Sequence, residues 1–172
     1  RLDEFTVLPK LQFNSSTDER YYYWFRRKVF KAYHYAKIAS QKLDSLNTKL
    51  KEINTKTGKK RYTRKLQKYL QGEFANRLKK MTHTEGRILI KLIHRQTGKT
   101  TFDNIKTVRS GWKAFWYNTT ANLFNLSLKS EYLPHVVNED YLIEDILQRA
   151  FVDESLVFQT PKLLIDYNKI AS

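Results

Sequence analysis

Phe25, Val29, Ala32, Ala36, Ala39, Leu43, Leu46, Leu50 and Ile53 recur at alternating intervals of four and three residues. Nothing else in the sequence restricts the fold as strongly. A half-buried strand needs apolar residues at every second position. A stripe repeating about every 3.5 residues lies along one face of a helix for its whole length. The stripe predicts one helix over roughly residues 18–54, about 50 Å long. Such a helix outreaches a small globule, so its far end needs a partner helix. Ser16 or Thr17 as cap, with Asp18 and Glu19 in the first turn, marks its start. The string "NTKTGKKRY" places a turn at Gly58. A returning helix over about 59–81 then sets Tyr62, Leu66, Tyr69, Leu70, Phe74, Leu78 and Met81 on one side. Residues 18–81 therefore read as an antiparallel helical hairpin.

The rest of the chain supports an all-α fold in which this long hairpin packs on a smaller helical bundle, with extended N- and C-terminal arms. Only 5 Gly and 3 Pro punctuate 172 residues, which favours long elements. Residues 1–17 read as an extended arm with Phe5, Leu8, Leu11 and Phe13 as apolar anchors around Pro9. Thr82 with Glu85 three residues later is a capping box. Ile88, Leu89, Ile90, Leu92 and Ile93 follow in a helix apolar nearly all round, hence buried. Gly98 falls where that helix stops, and Thr100 or Thr101 can cap the next, with Asp103 in its first turn. Trp112, Phe115, Trp116 and Phe124 crowd a short helix and read as core, with Gly111 allowing close approach. Pro134 breaks the chain before an acidic amphipathic helix near 139–152, where solvation accounts for Glu139, Asp140, Glu144 and Asp145. The organisation expected is an arm (1–17), a single helical domain (18–152) and an apolar tail (153–172) that either docks or awaits a partner.

Charge is segregated along the chain. Residues 20–99 hold 23 Lys/Arg against four acids, whereas residues 131–172 hold three against eight. A basic body with an acidic tail points to an anionic partner, the alternative being that its basic helices are simply solvated. The chain has no cysteine, which excludes disulfides, thiolate metal sites and a cysteine nucleophile within it. No apolar run is long enough to span a membrane as a helix.

Signatures of chemistry are weak. "QTGKTT" at 96–101 contains a Gly-Lys-Thr triplet, but a phosphate loop needs its first glycine at position 93, which is Ile93. The preceding segment is also helical, not a strand. The triplet reads as helix punctuation. The four histidines are His34, His83, His94 and His135. His83 and His94 lie about 16 Å apart on a helix, too far to share a metal. His83, Glu85 and Arg87 could imitate an acid/base group, but a cap with surface charges explains them. No catalytic residue, metal site or cofactor site is expected, and the chain does not read as an enzyme. "RYYYWFRRKVFKAYHYAK" interleaves bases with rings, a pattern that can bind single-stranded nucleic acid. Part of it belongs to the heptad stripe, leaving Tyr21, Tyr22, Tyr23, Trp24, Tyr33 and Tyr35 for other faces.

Three strings carry a resemblance to a Bacteroidota family known as a domain of unknown function. They are the tyrosine-rich start running into Y-x-Y-A-K (Tyr33–Lys37), G-R-I-L-I-K-L-I-x-R-x-T-G (Gly86–Gly98) and the glycine-aromatic segment Gly111–Trp116. The resemblance covers about residues 8–132 and departs from the family at His34, where Pro is usual. It implies no catalytic residues. Members typically carry a secretory leader, which a chain opening on Arg1 fits, so the resemblance implies a periplasmic, outer-membrane-associated address. The function it implies is that of a non-enzymatic adaptor or scaffold of a cell-envelope complex, accessory to type nine protein export or outer-membrane assembly. Protein subunits, with anionic lipid or lipopolysaccharide headgroups, then become the expected partners. The alternative is a basic nucleic-acid-binding protein. Expected partner contacts are Lys59, Lys60, Arg61, Arg64, Lys65 and Lys68 at the hairpin tip and Tyr21, Tyr22, Trp24, Arg26 and Arg27 at its base. The arm residues Phe5, Leu8, Leu11 and Phe13 form a second set.

Overall fold

The computed structural model describes residues 8–73, 75–107 and 127–171, and every regular element among them is a helix. Helix α1 (Ser16–Glu52) is the expected long helix, 37 residues in one piece. Its cap is Ser15, one residue before the earlier of the two expected caps, with Oγ accepting the Asp18 N–H at 3.1 Å. Asp18 and Glu19 occupy the first turn as expected, where carboxylates favour the positive end of the helix dipole.

The chain returns through the helical stretches α2 (Lys56–Glu73) and α3 (Ala75–Lys79), residue 74 between them lying outside the described residues. Lys42 Nζ lies 4.6 Å from the Tyr69 ring, and residues 53–55 alone join the two helices, so α1 and α2 run antiparallel along the distal half of α1. Tyr62 and Leu66 pack there with Leu43, Leu46 and Leu50. The turn itself is not at Gly58. Residues Ile53–Thr55 make it, and Gly58 is already inside α2, donating its N–H to Thr55 Oγ1 at 3.1 Å. A Cβ at Gly58 would lie 2.7 Å from Thr55 Oγ1 and 2.8 Å from Ile53 Cγ2, so this glycine serves close approach, not a turn conformation.

Helix α4 (His83–Thr97) is the principal partner of α1 and runs parallel to it. Both halves of the expected capping box are present: Thr82 Oγ1 accepts from Glu85 N–H, and the Glu85 carboxylate accepts from Thr82 N–H. The helix stops at Gly98, whose φ of 75° lies in the left-handed region. Thr100 then caps α5 (Thr101–Thr107), accepting from Asp103 N–H at 3.2 Å. Helix α6 (Asn138–Val152) closes the core. Phe25, Val29, Ala32 and Ala36 of α1 meet Ile88, Leu89, Leu92 and Ile93 of α4 and Ile143, Ile146, Leu147 and Phe151 of α6, all buried in one cluster. Leu78 and Met81 are buried in the same core.

The tail docks. Glu154, at φ 61°, turns the chain off the end of α6. Residues 156–166 then cross the α1–α4 seam as a strap, ending in α7 (Tyr167–Ala171). Tyr33 Oη donates to Val157 O at 2.8 Å and accepts from Gln159 N–H at 3.1 Å. Gln159 Oε1 accepts from Gln96 at 2.8 Å and pairs with Ser40, and Leu163 N–H donates to Arg95 O at 3.1 Å. That last bond satisfies a carbonyl in the final turn of α4, which has no partner within the helix. Gly111, Trp112, Phe115, Trp116 and Phe124 lie outside the described residues, as do Phe5 and the side chains of Leu70 and Phe74.

Candidate anion-contact surface

Two of the four acids of α6 are not solvated. Asp140 and Glu144 are 0% and 1% exposed, against the sequence expectation. They belong to a ladder between parallel helices. Arg87 holds Glu139 through two bonds of 2.8 and 2.9 Å, Lys91 holds Asp140, and Arg95 holds Glu144 through two bonds of 2.8 and 2.9 Å. Arg87, Lys91 and Arg95 recur every four residues on α4, as Asp140 and Glu144 do on α6. This matched spacing of opposite charge is the sequence signal for the pairing, and it emerges only when the two helices are set side by side.

Arg95 is fully buried, a position that no guanidinium tolerates without pairing. Burial alone would lower its pKa, but the adjacent Glu144 carboxylate more than offsets this and holds it above the ordinary value. Burial would raise the Glu144 pKa, and Arg95 reverses that, keeping the carboxylate ionised. Tyr132 at 2.7 Å, Gln148 at 2.8 Å and Tyr167 at 3.1 Å also donate to the Glu144 carboxylate. Burial pushes the Tyr167 hydroxyl up to about 12. On the opposite side of α4, Glu85 is buried too and pairs with Lys28 at 2.9 Å and Lys31 at 3.0 Å. It is therefore a capping and inter-helix residue, not a surface charge. Among the described residues no three His/Asp/Glu groups are placed to share a metal ion.

His94 is buried, with Nδ1 accepting the Tyr132 N–H at 2.8 Å. Burial lowers its pKa, outweighing the carboxylates of Glu131, Asp103 and Asp140, which act to raise it. A histidine with a depressed folded-state pKa stays neutral while its unfolded counterpart takes up a proton. Stability is therefore unaffected above about pH 6.5 and falls below it, by at most about 1.4 kcal/mol per pH unit. His94→Asn, which keeps an acceptor near Nδ1 but cannot titrate, is expected to remove this loss. Urea unfolding at pH 7.5 and 5.5 measures it.

With the acids engaged inside, the surplus of positive charge is carried outside. Lys59, Lys60, Arg61, Arg64, Lys65 and Lys68 are all exposed on α2. Thr57, Lys60, Arg61, Arg64, Lys65 and Lys68 line one shallow groove, at the 3-and-1 spacing of a single helix face. Among the described residues, none of these bases is ion-paired with a carboxylate.

The other expected contacts divide. Tyr21 and Trp24 are 51% and 39% exposed, and Arg27 is exposed. Arg26 is half-buried, with its guanidinium 4.2 Å from the Phe30 ring. Tyr22, at 6% exposure, is a core residue, and Tyr33 is buried beneath the strap. In the arm, Leu11 is exposed and Leu8 half-buried, but Phe13 packs 5.4 Å from Tyr22, and Pro9 O accepts from Arg149 at 2.8 Å. The arm thus lies on its own domain from Leu8 onward. Among the described residues no helix is long and apolar enough to cross a membrane.

No curated protein and no solved structure is significantly similar to this chain. One family model matches it, over residues 1–149, a longer stretch than the 8–132 expected, ending within α6 and leaving the strap outside. The chain belongs to that family, described as Domain of unknown function (DUF4294).

Proposed function

We propose that this protein is a non-enzymatic adaptor or scaffold, whose rigid helical body presents a basic face on α2 to an anionic partner. One observation carries the reading. Glu139, Asp140 and Glu144 are engaged by α4, Glu85 by α1 and Asp145 by Arg149 of α6 itself, so among the described residues the positive charge of α2 is left without a carboxylate partner. Seven Lys/Arg against one acid in an 18-residue helix repel one another, and an anionic partner relieves this. The resemblance of the three motifs supports a Bacteroidota envelope setting: the periplasmic side of the outer membrane, in a complex serving type nine export or outer-membrane assembly. The protein contacts available for such a complex are the exposed Tyr21, Trp24 and Arg27 at the start of α1 and Leu11 of the arm. The test is co-purification of the tagged chain from its native cells in gentle detergent. Recovery with outer-membrane or secretion subunits is expected. Recovery with ribosomal proteins and nucleic acid would replace this reading with the nucleic-acid one.

A further inference from the structure

We infer that the outer face of α2 is a docking strip for the phosphate headgroups of an anionic membrane leaflet. The inference rests on the reading of α2 as a contact surface and names what that surface contacts.

Three classes of anionic macromolecule could meet Lys60, Arg61, Arg64, Lys65 and Lys68: an acidic protein, a nucleic acid or a lipid surface. The composition of the face argues against the first. Its apolar neighbours Tyr62 and Leu66 are turned inward onto α1, and the groove is lined by bases and Thr57 alone. Protein interfaces bury aromatic and aliphatic anchors at their centre and are depleted in lysine there. This face offers no anchor to bury.

The distances argue against single-stranded nucleic acid. Base-tolerant binding needs rings beside the basic track, so that bases stack while phosphates are neutralised. Of the exposed rings, Tyr21, Tyr23 and Trp24 are near the start of α1, and Tyr69, the one exposed ring on α2 among the described residues, has Lys42 Nζ 4.6 Å from its centroid. The basic strip lies beside its far end, since Tyr69 meets Lys42 and α2 begins directly after residues 53–55 at the end of α1. Trp24 and Lys42 are 18 residues apart on one helix, about 27 Å along its axis. Tyr69, already met by Lys42, is a single ring and not a series on which successive bases stack.

A lipid surface fits what remains. The strip is straight, about 16 Å long from Thr57 to Lys68, and purely cationic, so a plane of phosphates can meet it along its whole length. With no apolar residue lining the groove, contact stays at headgroup depth, and attraction is electrostatic and sensitive to salt.

The experiment uses the full chain and vesicles of phosphatidylcholine, with and without phosphatidylglycerol, in a sedimentation assay. The comparison variant carries Lys60→Gln, Arg61→Gln, Arg64→Gln, Lys65→Gln and Lys68→Gln, with its helicity checked by circular dichroism. The native chain is expected to sediment only with the phosphatidylglycerol vesicles and to be released as salt rises. The fivefold variant, still helical, is expected to bind them at least about tenfold more weakly. No preference for phosphatidylglycerol, or equal binding by the variant, would overturn the inference. Polyglutamate and an oligonucleotide are assayed in parallel. Binding of either through α2 without binding of vesicles overturns the membrane assignment but leaves α2 a contact surface. Binding of none of the three overturns both.

Discussion

Arg95→Met is expected to destabilise the domain by about 3–5 kcal/mol, because it strands the Glu144 carboxylate in a dry site. Nothing on the surface can substitute for the lost guanidinium, since Arg95 and Glu144 are both fully buried between α4 and α6. Replacing both partners, Arg95→Met with Glu144→Leu, is expected to recover most of that loss. Recovery stays incomplete, because buried Tyr132 then keeps only the Asp140 carbonyl, at 3.2 Å. Guanidinium unfolding of the two single variants and the double variant measures the coupling. The pH dependence has a definite sign. A carboxylate with a depressed folded-state pKa contributes its stability above the unfolded value near 4.3 and loses it as pH falls below. Arg95→Met is therefore expected to make the domain less sensitive to acid over that range as well as less stable at neutrality.

Removing the strap, residues 155–172, is expected to have a comparable effect. The bonds of Gln159, Leu163 and Tyr167 to Tyr33, Ser40, Gln96, the Arg95 carbonyl and Glu144 are lost together. So is the packing of Leu156, Leu163 and Ile165 on the core. The exposed groups regain water, so each bond counts only at its modest net value, and the total is on the order of 3–5 kcal/mol. Gln159→Ala acts differently. It leaves the strap in place over Gln96 and Ser40 and denies them their partner, at about 1–3 kcal/mol for a single side chain. Thermal unfolding of the truncated and point variants separates the two cases. The strap begins beyond residue 149, where the family match ends, so the helical body and its closure come from differently matched parts of the chain.

The elements that local chemistry fixes were legible in the sequence. The heptad stripe marked α1 to within two residues at each end, and the Thr82–Glu85 pair and Gly98 marked both ends of α4. Such signals are contained within one or two turns of backbone, so a sequence displays them directly. What lay hidden depends on partners distant in sequence. Periodicity shows that Phe25 and Val29 are buried but not that α4 and α6 cover them, while α2 covers only the distal stretch. Tyr22 and Tyr33 looked available because the stripe was drawn one residue wide. Phe13 and the strap widen the buried face to include them. The acids of α6 looked solvated for the same reason, since a carboxylate reveals its burial only through the cation opposite. Gly58 looked like a turn because glycine permits one, whereas here it makes room for Thr55 and Ile53. The basic face of α2 was readable as charge. That it remains unpaired follows only once the buried ladder has been seen to occupy the acids.

The measurement that bears most directly on α2 as a contact surface is the unfolding temperature of the fivefold Lys/Arg→Gln variant at positions 60, 61, 64, 65 and 68. Glutamine keeps the helix propensity and length of the residues it replaces. A face that serves an external partner contributes nothing to the fold, so the midpoint is expected to stay within about 2 °C of the native value or to rise as repulsion is relieved. A fall of more than about 5 °C would mean that these side chains hold the hairpin together, and would contradict the assignment of α2 to a partner.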